Sequence, residues 1–279
     1  MSLLVVTGYA CLEYPVELAG AVRPEGTTII ERRDARDWPR AGGCPTYVAG
    51  AAAAAGRQAA PVMWVGRGPE GRLLIDALAE RGLGTEGVAV VDAPRSPAAL
   101  MVTQADGSCA CLFDPALGGR EVLTDAQRGL VARASHLCVA VGPPELMAGI
   151  LALCPQAARL YWAVKDDPDA FRPDVRAALA ARADVVFHNA AERGLVGETR
   201  AVLVETRGRA LVRVTVGGRA LDVPADPVET RDAVGAGDAF AGGFIAAEMG
   251  GEADPAAAAR AGVAAAAALL RGRLGREAA

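Results

Sequence analysis

The chain has 279 residues, 52% of them hydrophobic and only 4% aromatic, with 29 Lys and Arg against 33 Asp and Glu for a net charge of −4. This apolar content suffices for a packed core and excludes global disorder. A general nucleic-acid binder would need a phosphate-neutralising basic stripe, which is absent, and the longest apolar runs, such as 261–270, fall well short of the ~20 residues that span a bilayer.

Leu3-Leu4-Val5-Val6 has no charged stretch before it and runs into Thr7-Gly8, the pattern of a buried strand over 3–8 rather than of a secretory signal. A cytoplasmic location is the expectation, with the six cysteines (Cys11, Cys44, Cys109, Cys111, Cys138, Cys154) kept reduced. Segment 12–40 follows no regular pattern. A helix over 45–56, a strand over 61–66 and a helix over 70–82 come next. Segment 97–113 breaks the alternation again, because the β-prone runs 100–104 and 109–113 flank Asp106-Gly107, a strong hairpin turn. Strands over 137–142, 159–164, 184–187 and 201–206 then alternate with helices over 144–154, 173–182 and 190–196. This alternation predicts a mostly parallel sheet with helices on both faces. The two irregular segments are expected to form antiparallel strands outside it, as a small β lid. A second hairpin turns at Gly217-Gly218, between 211–216 and 219–223. Asp254-Pro255 supplies the N-cap and first residue of a C-terminal helix, and Arg271, Arg273 and Arg276 stand near its far end, where the helix dipole favours cations. No repeat or linker divides the chain, so 1–279 reads as one domain with lid strands from about 12–40 and 97–113.

Two glycine motifs compete for attention. Gly66-Arg67-Gly68-Pro69-Glu70-Gly71 spells G-x-G-x-x-G between a strand and a helix, with Asp92 farther on, and alone it would suggest a dinucleotide-binding dehydrogenase. It is not the first strand-helix unit of the chain, and a Gly-rich turn into a helix is the plainer account. The sharper signal is Asp232-Ala233-Val234-Gly235-Ala236-Gly237-Asp238-Ala239-Phe240. Small residues at Gly235, Ala236 and Gly237 let backbone N–H groups converge at a helix N-terminus, which is an anion hole. Asp238 in the same turn would repel a static phosphate. It makes sense either as a helix cap after a Gly turn or as a general base that takes a proton from an attacking hydroxyl while the amides hold a transferring phosphoryl group.

With this motif the chain resembles the ribokinase/PfkB family of carbohydrate kinases, whose C-terminal signature looks like 232–238. The resemblance runs in order along nearly the whole chain. Gly42-Gly43 resembles the family's N-terminal Gly-Gly segment, 66–71 falls at its Gly-rich turn, Asn189-Ala190-Ala191-Glu192 resembles N-x-x-E, and Thr206-Arg207-Gly208 resembles T-x-G. It implies a ribokinase-like three-layer α/β/α fold with a mostly parallel central sheet and a small β lid. It further implies a kinase using ATP and Mg²⁺, with Asp238 as base and the amides of Gly235, Ala236 and Gly237 as anion hole. Asn189 and Glu192 would organise Mg²⁺ through water, Thr206 and Gly208 would border the nucleotide, and Glu13, Gly42, Gly43, Tyr47 and Asp238 would meet the acceptor. Asp232 resembles a position in a monovalent-cation loop, which adds K⁺ as a candidate cofactor. The lid implies a homodimer.

Departures from the family pattern gather on the acceptor side. Glu13 stands where many members carry Asp, and Tyr47 where many carry Asn, so that Tyr47 would either stack on a ring such as a nucleoside base or fill the core. Lys165 ends a strand where an acidic or polar residue is usual; it would neutralise phosphate on nucleotide or substrate, or be a solvated loop lysine beside Asp166 and Asp167. Ala233 lacks the hydroxyl often found there, which puts cation dependence in doubt. The expected function is therefore phosphoryl transfer to a hydroxyl of a small sugar or sugar-like molecule. The alternatives are a nucleoside kinase of the same fold and a non-catalytic kinase-fold binding protein.

Overall fold

The structure is a computed structural model that describes residues 2–33, 38–167 and 169–277, with backbone only at 276 and 277. Its first half contains β1 (Leu4–Thr7), β2 (Cys11–Leu18), β3 (Ile30–Arg32), β4 (Arg40–Gly42), α1 (Cys44–Ala54), β5 (Ala59–Gly66), α2 (Pro69–Glu80), β6 (Val88–Val91), β7 (Ala98–Thr103), β8 (Cys109–Asp114) and α3 (Asp125–Ala132). The second half continues with β9 (His136–Val139), α4 (Pro144–Leu153), β10 (Arg159–Ala163), α5 (Pro173–Arg182), β11 (Val185–Asn189), α6 (Arg193–Val196), β12 (Val202–Arg207), β13 (Leu211–Val216), β14 (Arg219–Pro224), α7 (Ala236–Met249) and α8 (Pro255–Glu277).

Among the described residues nine strands form one sheet in the order β14-β13-β12-β11-β10-β9-β1-β5-β6. From β12 to β6 every pair is parallel, and the β12-β13-β14 edge is antiparallel. Parallel pairing requires helical crossovers, and these cover both faces. Alternate residues of each strand therefore enter two different cores. Leu4, Val6, Met63, Val65, Tyr161 and Phe187 pack with α1, α2, α7 and α8 on one side. Val5, Val62, Trp64, Leu137, Trp162 and Val186 pack on the other, with α3, α4 and α5. Small residues let the helices of the first layer approach closely: a Cβ on Gly242 of α7 would lie 2.4 Å from the Val48 carbonyl of α1, and one on Gly243 would lie 2.5 Å from the Ala265 methyl of α8. That packing sets where α7 begins.

The remaining strands form a second sheet in the order β3-β2-β7-β8, with β4 on β2. The expected hairpin is present as β7 and β8 in antiparallel register. The expectation of purely antiparallel pairing outside the main sheet is corrected at its centre, where β2 and β7 run parallel, Leu12 opposite Ala98 through Glu17 opposite Thr103. Each of the two follows directly on a parallel strand of the large sheet, β1 and β6, and so leaves it in the same direction. Two further differences have local causes. Helix α3, unforeseen, starts on a reciprocal capping box between Thr124 and Gln127, and its buried Gln127 amide donates to the Met63 and Gly87 carbonyls at 3.1 and 3.0 Å. The helix expected over 190–196 shrinks to Arg193–Val196 behind a turn, and Gly197 ends it at φ 67°. At the C-terminus Asp254 caps α8 by accepting from the Ala256 and Ala257 amides at 3.0 and 3.2 Å. No helix among the described residues is long and apolar enough to cross a membrane.

Candidate active site

The strand ends and the start of α7 meet at the C-terminal edge of the large sheet, the edge at which open parallel sheets bind ligands. Gly235 precedes α7 in the left-handed conformation, φ 77°, and a Cβ there would stand 2.5 Å from the Tyr47 ring. A side chain is excluded on both counts. The turn it creates engages some amides and leaves others open. Val234 donates to the Asp232 carboxylate at 3.1 Å and Ala236 donates to the Ala233 carbonyl at 3.1 Å. Ala236 is therefore corrected as an anion-hole donor, since its N–H holds the turn together. The Gly237 and Asp238 amides have no protein acceptor among the described residues, and a Cβ on Gly237 would meet nothing within 4 Å. They face open space at the positive end of a 14-residue helix.

Asp238 is half-buried, and its carboxylate has no hydrogen-bond partner among the described residues. Its charge is felt by Lys165, just beyond β10: Asp238 above all, against the cost of desolvation, and then Glu192 raise the lysine well above its ordinary value. Lys165 is an exposed cation in the loop after β10, and the charge it answers to most is that of Asp238. The thiols of Cys11 and Cys44 stay protonated, Cys11 chiefly through burial and Cys44 through its hydrogen bond to Cys138 and then burial.

The register of β11 and β12 places Asn189 opposite Thr206. Asn189 and Glu192 cap each other: the Asn189 amide donates to the Glu192 carboxylate at 2.8 Å, and the Glu192 amide to the Asn189 side-chain oxygen at 3.0 Å. Gly208 follows Thr206 at φ 58° with open space around it. Among the described residues no group of three or more His, Cys, Asp or Glu side chains could enclose a metal. Glu192 is buried behind this mutual cap, so a Mg²⁺ ion carried by nucleotide phosphates would meet Asn189 and Glu192 only through its water shell.

A second cluster lies behind this opening, and its carboxylates are held by protein donors. Glu13 of β2 accepts from the Tyr47 hydroxyl at 2.6 Å, from Arg40 Nε at 3.0 Å and from the Gly43 amide at 3.2 Å. Arg40 then grips both oxygens of Asp232 with its two Nη groups, Nη2 at 3.1 Å. Arg273 completes the ring, donating to the Val234 carbonyl at 2.6 Å and to the Tyr47 hydroxyl at 3.0 Å, with Asp232 Oδ1 3.6 Å from its Nη1. Three expectations are corrected here. Glu13 is buried and its carboxylate is engaged by three protein donors, so it serves the protein's own side chains here. Tyr47 is 5% exposed and offers no face for stacking. Gly42 and Gly43 make room for protein rather than ligand, since a Cβ on either would fall 2.1 Å from the Glu13 carboxyl or 2.5 Å from the Tyr9 carbonyl. A monovalent cation at Asp232 does not fit these residues either, because the carboxylate and the neighbouring carbonyl already hold two guanidinium groups. Burial works against ionisation of Asp232, but the Arg40 hydrogen bond and the charges of Arg40 and Arg273 hold its carboxyl below the ordinary value.

Arg40 and Arg273 are the residues that sequence reasoning missed. Arg273 reads as a dipole-neutralising cation at a helix end, and no spacing reveals that it turns inward while Arg271 pairs with Asp226 on the surface. The G-x-G-x-x-G turn is also explained. The Gly66 amide donates to Ser96 Oγ at 2.9 Å, and a Cβ on Gly68 would lie 2.1 Å from the Pro94 carbonyl. The 93–96 loop thus occupies the place a pyrophosphate would take.

A family model for pfkB family carbohydrate kinases matches residues 30–277. Solved structures share the fold at low identity. Ribokinase from Cryptococcus neoformans in complex with ADP superposes with a TM-score of 0.81 at 21% identity, covering 95% of this chain and 93% of that one. Ribokinase from Arabidopsis thaliana complexed with ribose and ATP gives 0.77 at 19% identity, covering 97% and 93%. The nucleoside kinase from Burkholderia thailandensis in complex with inosine gives 0.75 at 18% identity, covering 93% and 90%. No curated protein sequence matches the chain.

Proposed function

The chain belongs to the pfkB family of carbohydrate kinases, phosphotransferases that act on an alcohol group of a sugar or nucleoside, and within it we propose an ATP-dependent kinase whose acceptor is a hydroxyl of a small sugar or sugar-like molecule. The observation that carries this reading is Asp238, a carboxylate without a hydrogen-bond partner among the described residues, beside two open amides at the N-terminus of α7. Asp238 accepts the proton of the attacking hydroxyl. The Gly237 and Asp238 amides and the end of the α7 dipole receive the transferring phosphoryl group, and Gly235 holds the turn that aims them. Lys165, whose charge couples most strongly to that of Asp238, supplies positive charge near the base, where phosphate charge accumulates. Mg²⁺, bound with the nucleotide, neutralises phosphate charge. Glu192 and Asn189 orient its water shell, and Thr206 and Gly208 border the nucleotide. The second sheet acts as the lid, and its exposed Ile30, Leu100 and Leu112 suit a homodimer formed through it. The cysteines are all free, in keeping with a cytoplasmic enzyme.

The nucleoside alternative loses the stacking residue that would have favoured it. ATP consumption with Mg²⁺ across pentoses, hexoses, sugar phosphates and nucleosides tests the assignment. One sugar-class acceptor is expected to stimulate turnover strongly, and stimulation by nucleosides alone would replace the sugar reading. Equal turnover in Asp238→Asn would remove Asp238 from its role.

A further inference from the structure

The clamp behind the opening contains two carboxylates and two guanidinium groups, and all four are withdrawn from solvent. Side-chain exposure is 5% for Glu13, 10% for Arg40, 18% for Asp232 and 7% for Arg273. Their charges cancel. Their contacts converge on one short stretch: Arg40 on both oxygens of Asp232, Arg273 on the Val234 carbonyl, and the Val234 amide on Asp232 itself. The next residues are Gly235, Gly237 and Asp238, which form the opening. A carbonyl and a carboxylate facing the same buried point repel unless a cation lies between them, and in low dielectric that repulsion is large. In this molecule the cation is covalently attached.

We propose that Arg273, backed by Arg40, is a built-in substitute for a monovalent cation, positioning the 232–238 turn so that nucleotide binding and turnover are independent of K⁺ and Na⁺. The inference rests on the reading of that turn as a phosphate site. The geometry is specific to a guanidinium. Arg273 reaches from α8 with one Nη on the Val234 carbonyl and the other on the Tyr47 hydroxyl, and its charge lies 5.5 Å from the centre of the Tyr47 ring. A lysine provides one point of charge and cannot span both acceptors in a fixed plane. A diffusible cation entering the same place would meet two guanidinium groups in a cluster that is already neutral. Arg273 is a positioning residue: it touches the turn, not the reacting atoms.

The test compares the purified full chain in KCl, NaCl and tetramethylammonium chloride at equal ionic strength, so that general screening is common to all three. Melting temperature is read by calorimetry and MgADP affinity by titration. For the wild-type chain the three salts are expected to agree within about 1 °C and within about twofold in Kd. In tetramethylammonium chloride, Arg273→Ala is expected to bind MgADP about tenfold more weakly, the scale of a lost charged hydrogen bond. Added KCl or methylguanidinium should recover part of that loss in the variant alone, and Arg273→Lys should fall between variant and wild type. A purely structural arginine would give no rescue by K⁺, an ion that restores the charge without the guanidinium's shape. A wild-type melting temperature or MgADP affinity that climbs with K⁺ but not with tetramethylammonium overturns the proposal, as does an Arg273→Ala chain indifferent to both K⁺ and methylguanidinium. If Arg273→Ala does not fold, the wild-type salt comparison and Arg273→Lys decide the matter. Failure of the wild type to bind MgADP in any salt would count against the kinase reading instead, and the melting temperatures would still report on the cation.

Discussion

Asp232 and Asp238 stand six residues apart in one Gly-rich turn, and their surroundings are opposite. Asp232 is gripped through both oxygens by Arg40, faced by Arg273 and capped by the Val234 amide. Asp238 has no hydrogen-bond partner among the described residues and influences its neighbours only through its charge, Lys165 most of all. The same side chain is thus a structural anchor in one place and an unpaired carboxylate, the base of the proposed reaction, in the other. What separates them is the supply of donors: a carboxylate held by protein cations and amides has a weakened affinity for a ligand's proton, whereas one left open keeps it. The contrast extends to their glycines, since Gly235 is enclosed by Tyr47 and Gly237 faces empty space.

The most demanding test of this division is Asp238→Asn. Turnover should fall by about 10²- to 10⁴-fold, the usual share of a general base, while nucleotide affinity measured by titration changes little. The complementary substitution, Asp232→Asn, should act on stability instead. It leaves two buried guanidinium groups facing a neutral amide and is expected to cost roughly 3 kcal/mol in urea unfolding near neutral pH. Because the folded Asp232 carboxyl lies below its ordinary value, its contribution is complete above the unfolded carboxylate range and disappears as the pH falls through the lowered folded value. The stability gap between wild type and Asp232→Asn should accordingly narrow in acid, and a gap that widened there would contradict the ion-pair assignment.

Smaller effects sharpen the comparison between the glycines. Gly235→Ala combines a left-handed backbone with a methyl group 2.5 Å from the Tyr47 ring and should cost about 2 kcal/mol in thermal or urea unfolding. Gly237→Ala has neither problem, so its stability should stay within about 1 kcal/mol of wild type, on the stabilising side if helix propensity prevails. Its methyl group would nevertheless stand where the phosphoryl group is received, so MgADP affinity should drop in a protein that is otherwise intact. Equal affinity in Gly237→Ala would move the anion hole elsewhere.

Much of this architecture is legible in the chain because it follows from period and turn chemistry. The β-branched runs ending at Thr7, Gly66 and Asn189 are parallel strands, Asp106-Gly107 turns a hairpin, and Asp254-Pro255 starts the last helix, each for a local reason. Helix α3 escaped because it is only eight residues long and its buried face includes a glutamine bonded to two distant carbonyls, behind a capping box. The parallel β2-β7 pairing escaped because strand direction depends on where each strand leaves the main sheet.

Sequence alone determined the α/β class, most of the elements and the Gly-Ala-Gly-Asp turn that the proposed function uses, because these depend on residues close together along the chain. Tertiary structure alone decided that Glu13 and Tyr47 serve the protein rather than an acceptor and that Ala236 closes the turn. It also decided that Asp232 is held by Arg40 and Arg273, which lie 192 residues away on one side and 41 on the other. Which lone pairs remain free is settled by donors brought from distant elements, and no local pattern records where those donors arrive.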